Sequence, residues 1–174
     1  MGKIKFSLFA CFLAILIACS TVPLTGRKQF SLVGDSEINT PAAKSYKQLL
    51  SDPKTTVITG TRDAESVKRV GNRLSVAIEK YLKDNGYGDQ YSFNWEFNLI
   101  QSKEVNAWCM PGGKVAVYSG ILPITMDDAG LATVMGHEIG HVIARHSAER
   151  ISQQMAAQFG GAVVGAAASD KSQT

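Results

Sequence analysis

Long apolar runs, cysteine and an excess of either charge are all scarce in this chain of 174 residues. The longest apolar run, Phe6 to Ala18, falls short of the roughly 20 residues that a bilayer-spanning helix needs. Lys and Arg total 18 against 15 Asp and Glu, a balance that implies no polyanionic partner such as nucleic acid. Three cysteines, Cys11, Cys19 and Cys109, are too few for a disulfide scaffold, so the core must hold without staples. What is present, 45% hydrophobic and 19% charged residues, fits one globular domain with a single core.

The N-terminus stands apart from that domain. Lys3 and Lys5 precede the apolar run, in the order of the n-region and h-region of a secretory signal. The run ends in Leu16-Ile17-Ala18-Cys19, which resembles the lipobox of bacterial lipoproteins. That resemblance implies cleavage before Cys19, diacylation of its thiol and a stable lipid anchor. Ser20 after the cysteine implies, by the same resemblance, the outer membrane with the protein facing the periplasm. Loss of residues 1–18 removes two lysines and leaves 16 basic against 15 acidic residues. Cys109 is then alone, and no internal disulfide can form.

Residues 19–41, with Pro23, Gly26 and Gly34, read as a polar tether. A short helix is predicted over 41–51 and a loop over 52–60. Thr61 or Asp63 can cap a helix running to about Asn85, with Val67, Val70, Leu74, Ile78 and Leu82 on one stripe and Gly86 as its stop. From Tyr91 to Leu99 apolar and polar residues alternate without error, which predicts a strand with one buried face. A second strand, Lys114 to Ser119, follows the turn Pro111-Gly112-Gly113. A capping-box-like start at Thr125 and Asp128 then opens a long helix expected to run unbroken to about Gln158. The plan is α+β, a small sheet beside helices, with a domain over 42–168 and a polar tail over 169–174.

The long helix carries His137-Glu138-Ile139-Gly140-His141, and all three histidines of the chain fall between positions 137 and 146. Residues four apart on a helix are offset by only about 40° and about 6 Å, so His137 and His141 can share one ion. Glu138 is turned about 100° from His137, beside an ion rather than on it, which suits a general base. Zn²⁺ is the expected ion, because neutral imidazoles suit it and it activates water without redox chemistry. Gly140 reads as a place where another backbone comes close.

A catalytic zinc site needs three protein ligands. The metzincin pattern would put Gly at 144 and His at 147, where this chain has Ala144 and Ser147. On an unbroken helix His146 lies about 140° from His141 and faces elsewhere, a packed or capping histidine. Glu149 lies about 12 Å along the same helix from His141, too far to share the ion, and Asp170 stands in the polar tail. The remaining route is a Glu from a separate helix.

Three segments resemble the gluzincins of the HtpX-like and CAAX-prenyl-protease type, metallopeptidase family forty-eight, in its periplasmic lipoprotein branch. They are Val22-Pro23-Leu24-Thr25-Gly26-Arg27, Asn106-Ala107-Trp108-Cys109-Met110-Pro111-Gly112-Gly113, and His137 through His146. The resemblance implies that His137 and His141 bind one Zn²⁺ and that Glu138 is the base. It also implies that Gly113 to Ser119 is an edge strand, with Gly113, Lys114, Val115, Ala116 and Val117 holding an extended substrate. An edge strand can pair with a peptide through main-chain hydrogen bonds. In the family the third ligand is a Glu beyond an Ala/Gly-rich helix such as Met155 to Ala168, so the zincin-like domain is expected to be partial, a fragment or a truncated product. The Gly161 and Gly165 spacing in that helix suits close helix packing better than a membrane span. A Cys109 thiolate acting as an inhibitory ligand is disfavoured against a thiol that packs as a small hydrophobe.

The expected function is a lipid-anchored zinc endopeptidase of the bacterial envelope acting on unfolded or misassembled envelope proteins, the substrates resting on the resemblance alone. The alternative is a non-catalytic lipoprotein that binds peptides as a chaperone or adaptor.

Overall fold

The computed structural model describes the backbone of residues 19–170 and the side chains of residues 20–159. Residues 1–18, expected as a signal, the Cys19 thiol, the side chains of the Ala/Gly stretch beyond Phe159 and residues 171–174 lie outside the described residues. The described residues form two compact units, one of residues 35–147 and one of residues 19–34 together with 148–170.

In the larger unit the elements are α1 (Asp35–Ser51), β3 (Val57–Ile58), α2 (Arg62–Asp84), β4 (Glu96–Ile100), β5 (Ala107–Met110), β6 (Lys114–Tyr118), α3 (Leu122–Thr125) and α4 (Asp128–Ile143). A mixed four-stranded sheet in the order β3-β4-β6-β5 forms its centre. β6 pairs with β4 in parallel and with β5 antiparallel. The sheet has helices on both faces. Phe97, Leu99, Val115 and Val117 join Val67 and Val70 of α2 and Leu131, Met135 and Ile139 of α4 in the main core. Ile100 and Ala116 on the opposite face pack with Tyr46 of α1.

This arrangement corrects the expected edge strand. Lys114 through Val117 lie in an interior strand, and Val115, Ala116 and Val117 have no exposed surface. The physical reason is legible in the run Val-Ala-Val-Tyr: a strand covered on both faces is apolar throughout, whereas a one-sided strand alternates. Gly113 serves a turn, with φ of 84° and a Trp95 ring where a Cβ would stand. The edge on this side of the sheet is β5.

α2 forms as predicted. The Thr61 hydroxyl accepts a hydrogen bond from the Ala64 N–H at 3.2 Å, and Gly86 beyond the end takes φ of 78°. α1 starts at Asp35 instead of Pro41, with Asp35 and Glu37 in its first turn, where carboxylates suit the positive helix end. Tyr91, Phe93 and Trp95 alternate as expected but precede the ladder. Their rings stack in series, at centroid distances of 6.0 Å and 4.4 Å. The Asn94 and Glu96 N–H groups bond the carbonyls of Gly112 and Gly113 in the turn before β6.

The single helix expected from Thr125 is divided in two, and Thr125 instead ends the short α3. Asp127, not Thr125, caps α4, its carboxylate accepting from the N–H groups of Ala129 and Gly130 at 3.0 and 2.9 Å. At the other end α4 stops at Ile143, Arg145 takes φ of 56°, and α5 (His146–Asp170) begins anew.

The smaller unit holds an antiparallel pair, β1 (Cys19–Thr21) with β2 (Lys28–Phe30), and the body of α5. The turn between the strands closes through Val22 N–H to the Arg27 carbonyl at 2.8 Å. The Leu32 N–H donates to the Ser152 hydroxyl at 2.8 Å, and Arg27 forms an ion pair with Glu149. Residues 19–41, expected as a polar tether, thus carry regular structure, because Val22 and Gln29 are buried. Among the described residues no helix is long and apolar enough to cross a membrane.

Gly71 lets α2 lie flat on the sheet, since a Cβ there would overlap the Phe97 ring. Overpacking of this kind costs about 1–3 kcal/mol, and the better helix propensity of Ala returns about 1 kcal/mol. Gly71→Ala is therefore expected to lower stability by up to about 2 kcal/mol, read as a lower urea midpoint with an unchanged slope.

Candidate metal centre

α4 is apolar on one side and polar on the other. Leu131, Met135 and Ile139, four residues apart, are at most 2% exposed, and burying each contributes about 1.5–3 kcal/mol. Pinning that stripe to the sheet leaves His137 and His141 on the exposed face, with Glu138 half-buried at its margin. The helix is thus oriented by its core residues, and the polar set follows from their phase.

The Nε2 atoms of His137 and His141 are 3.1 Å apart, and their rings meet nearly edge to face at 80° with centroids 4.5 Å apart. One ligand atom from each of His137, Glu138 and His141 lies within 4.8 Å of the others. Two nitrogens about 2.05 Å from a tetrahedral ion would stand about 3.3 Å apart. The observed pair therefore fits a shared Zn²⁺, with Glu138 close enough to work on a molecule held beside it. Among the described residues the cluster comprises these three side chains.

The structure moves His146 from where the unbroken helix put it. With the chain turned at Arg145, the Nδ1 atoms of His141 and His146 are 2.8 Å apart. The break is built by contacts from distant segments. The Arg145 guanidinium reaches Asp35 at 2.8 Å and the Gln90 carbonyl at 2.8 Å, and it lies 5.0 Å from the centre of the Tyr91 ring. The Tyr91 hydroxyl donates to the Ile143 carbonyl at 2.9 Å, which satisfies an acceptor that the helix end leaves free. These residues escaped the sequence reading, because no local signal distinguishes an arginine in left-handed conformation from one inside a helix.

Of the other predicted positions, Gly140 faces open space: nothing described lies within 4 Å of where its Cβ would be. Glu149 is engaged by Arg27 in the smaller unit, at 3.1 Å between Nη1 and Oε1. Cys109 sits on β5, which packs against α4. Burial pushes its thiol up to about 12, and the negative charge of Glu138 pushes in the same direction. The thiol therefore stays protonated near neutrality and is a poor ligand in that state.

A model of peptidase family M48 matches residues 63–174. The chain is similar to the mitochondrial metalloendopeptidase OMA1 of Schizosaccharomyces pombe, 34% identical over 131 residues that cover 75% of this chain and 36% of that protein. It is similar to the metalloprotease YcaL of Escherichia coli, 31% identical over 145 residues, covering 78% of this chain and 55% of the relative. A putative beta-barrel assembly-enhancing protease of Vibrio cholerae is 35% identical over 82 residues, covering 44% and 17%. The chain thus spans between 17% and 55% of the lengths of these relatives.

The raised Cys109 pKa has a direct readout. An ordinary thiol is partly ionised at pH 8, whereas one near 12 is almost wholly protonated, so Cys109 should alkylate on the order of a thousandfold more slowly than a free thiol. Peptide-resolved mass spectrometry after timed iodoacetamide treatment of the folded chain checks this. The rate should rise toward that of the free thiol in denaturant.

Proposed function

The chain belongs to peptidase family M48, and from that premise we propose that it is a zinc-dependent endopeptidase of the bacterial cell envelope. The observation that carries the reading is the 3.1 Å approach of the His137 and His141 Nε2 atoms, with the Glu138 carboxylate in the same cluster. Its substrates are unfolded or misassembled envelope proteins. A place in the envelope is supported by the lysine-flanked apolar run ending in Leu16-Ile17-Ala18-Cys19, with Cys19 as the lipid-bearing residue. Similarity to a protease named for beta-barrel assembly supports it further.

His137 and His141 would hold the ion through Nε2, each ring keeping its proton on Nδ1. When bound, Zn²⁺ supplies Lewis acidity, which polarises the scissile carbonyl and lowers the pKa of water. Glu138 takes the proton from the attacking water and delivers it to the leaving amine, acting first as base and then as acid. β5 replaces β6 as the strand for substrate. It lies at the sheet edge, it packs against α4, and its Cys109 lies within electrostatic reach of Glu138. A peptide added to that edge would be gripped through main-chain hydrogen bonds, which tolerates many sequences and suits unfolded substrates.

The test is cleavage of unfolded casein by the full chain with added zinc. Glu138→Gln should lose about 10²–10⁴-fold in kcat while still binding zinc. Activity of the glutamine variant equal to the parent would sink the mechanism. A non-catalytic adaptor would instead hold unfolded casein without cutting it, with or without Glu138.

A further inference from the structure

His146 is the histidine that the HExxH pattern does not use, and the turn at Arg145 places it behind His141. The two Nδ1 atoms are 2.8 Å apart, with ring centroids at 4.9 Å and planes tilted by 46°. Two ring nitrogens at that distance need one proton between them. Once the Nε2 lone pair of His141 is directed at an ion, the single proton of the neutral ring sits on Nδ1. His141 is then the donor and His146 the acceptor, with the proton of His146 on its own Nε2.

We propose that His146 is a positioning residue for the metal ligand His141, an assignment that rests on the metallopeptidase reading above. Its Nδ1 fixes the tautomer of His141 and holds the rotation of that ring so that Nε2 stays directed toward His137. Carboxylates and backbone carbonyls usually fill this role behind a metal-bound imidazole. A neutral imidazole does so here without adding negative charge, which leaves the positive charge of the bound ion undiminished.

The turn that builds this contact is strained, which argues that it is held deliberately by the fold. A non-glycine residue in the left-handed region costs roughly 1–2 kcal/mol, and Arg145 adopts φ of 56°. The same residue supplies the compensation through Asp35, the Gln90 carbonyl and the Tyr91 face. Continuing the helix through position 145 would relieve the strain but rotate His146 about 140° away from His141.

Two measurements on the full chain test the assignment. In the zinc-loaded parent, long-range ¹H–¹⁵N spectra should show His141 with its proton on Nδ1 and His146 with its proton on Nε2. A proton on Nδ1 of His146 overturns the proposal without any variant. The second measurement is the zinc Kd, read by competition with a chromophoric chelator. His146→Leu should weaken zinc binding about tenfold, the low end of the range for such partners because both rings are exposed. It should also lose the downfield Nδ1–H resonance of His141, while the thermal midpoint of the zinc-free protein stays at the parent value. His146→Asn, whose Oδ1 can accept near the position of Nδ1, should recover most of the affinity and the resonance. Unchanged zinc affinity in a folded His146→Leu protein overturns the assignment. A parent chain that takes up no zinc overturns the metallopeptidase reading instead, and the assignment with it.

Discussion

The attachment of α4 to the sheet is the constraint on which the rest of the molecule depends. Leu131, Met135 and Ile139 share one buried core with Phe97, Leu99, Val115 and Val117 of the sheet and Val67 and Val70 of α2, so the helix can neither rotate nor slide without opening a cavity. Its outward face is thereby fixed to within a small angle. Two imidazoles one turn apart then converge to 3.1 Å because their backbones have no other orientation. The chemistry is specified by polar residues, but its geometry is specified by apolar ones.

The same logic explains which parts of the molecule could be read in the sequence. α2 was legible because its signals are local: a capping threonine at 61, a stripe of apolar residues, and a glycine at 86 free to take φ of 78°. The metal cluster was legible because helical spacing alone brings positions i and i+4 together. The break at Arg145 was not, because it is set by Asp35, Gln90 and Tyr91, far away in the chain. Without the break, His146 was assigned to the wrong face.

The sheet gives a parallel lesson. Alternation from Tyr91 to Trp95 described which way side chains face and said nothing of ladder pairing, which starts at Glu96. Central and edge strands differ by what lies beside them, so β6 was misplaced although its unbroken apolar run already indicated cover on both faces. The correction gives the edge to β5, whose Cys109 stands near Glu138. The segment resembling the family motif, Asn106 to Gly113, thereby takes in the edge strand and the turn, not the interior strand that follows.

Direct parallel pairing of β4 with β6, with β5 between them in the chain but at the edge of the sheet, also bears on how the chain reaches this state. β5 and β6 are joined by a three-residue turn and can zip as a hairpin on a microsecond scale. β4 can join only by closing a loop over that hairpin, a non-local step of the kind that slows folding. Until it does, β6 presents a bare edge of Val115, Ala116 and Val117, a segment suited to intermolecular pairing. The interior place of β6 in the finished sheet therefore does more than fill the core: it shuts away a strand otherwise suited to pairing with another chain.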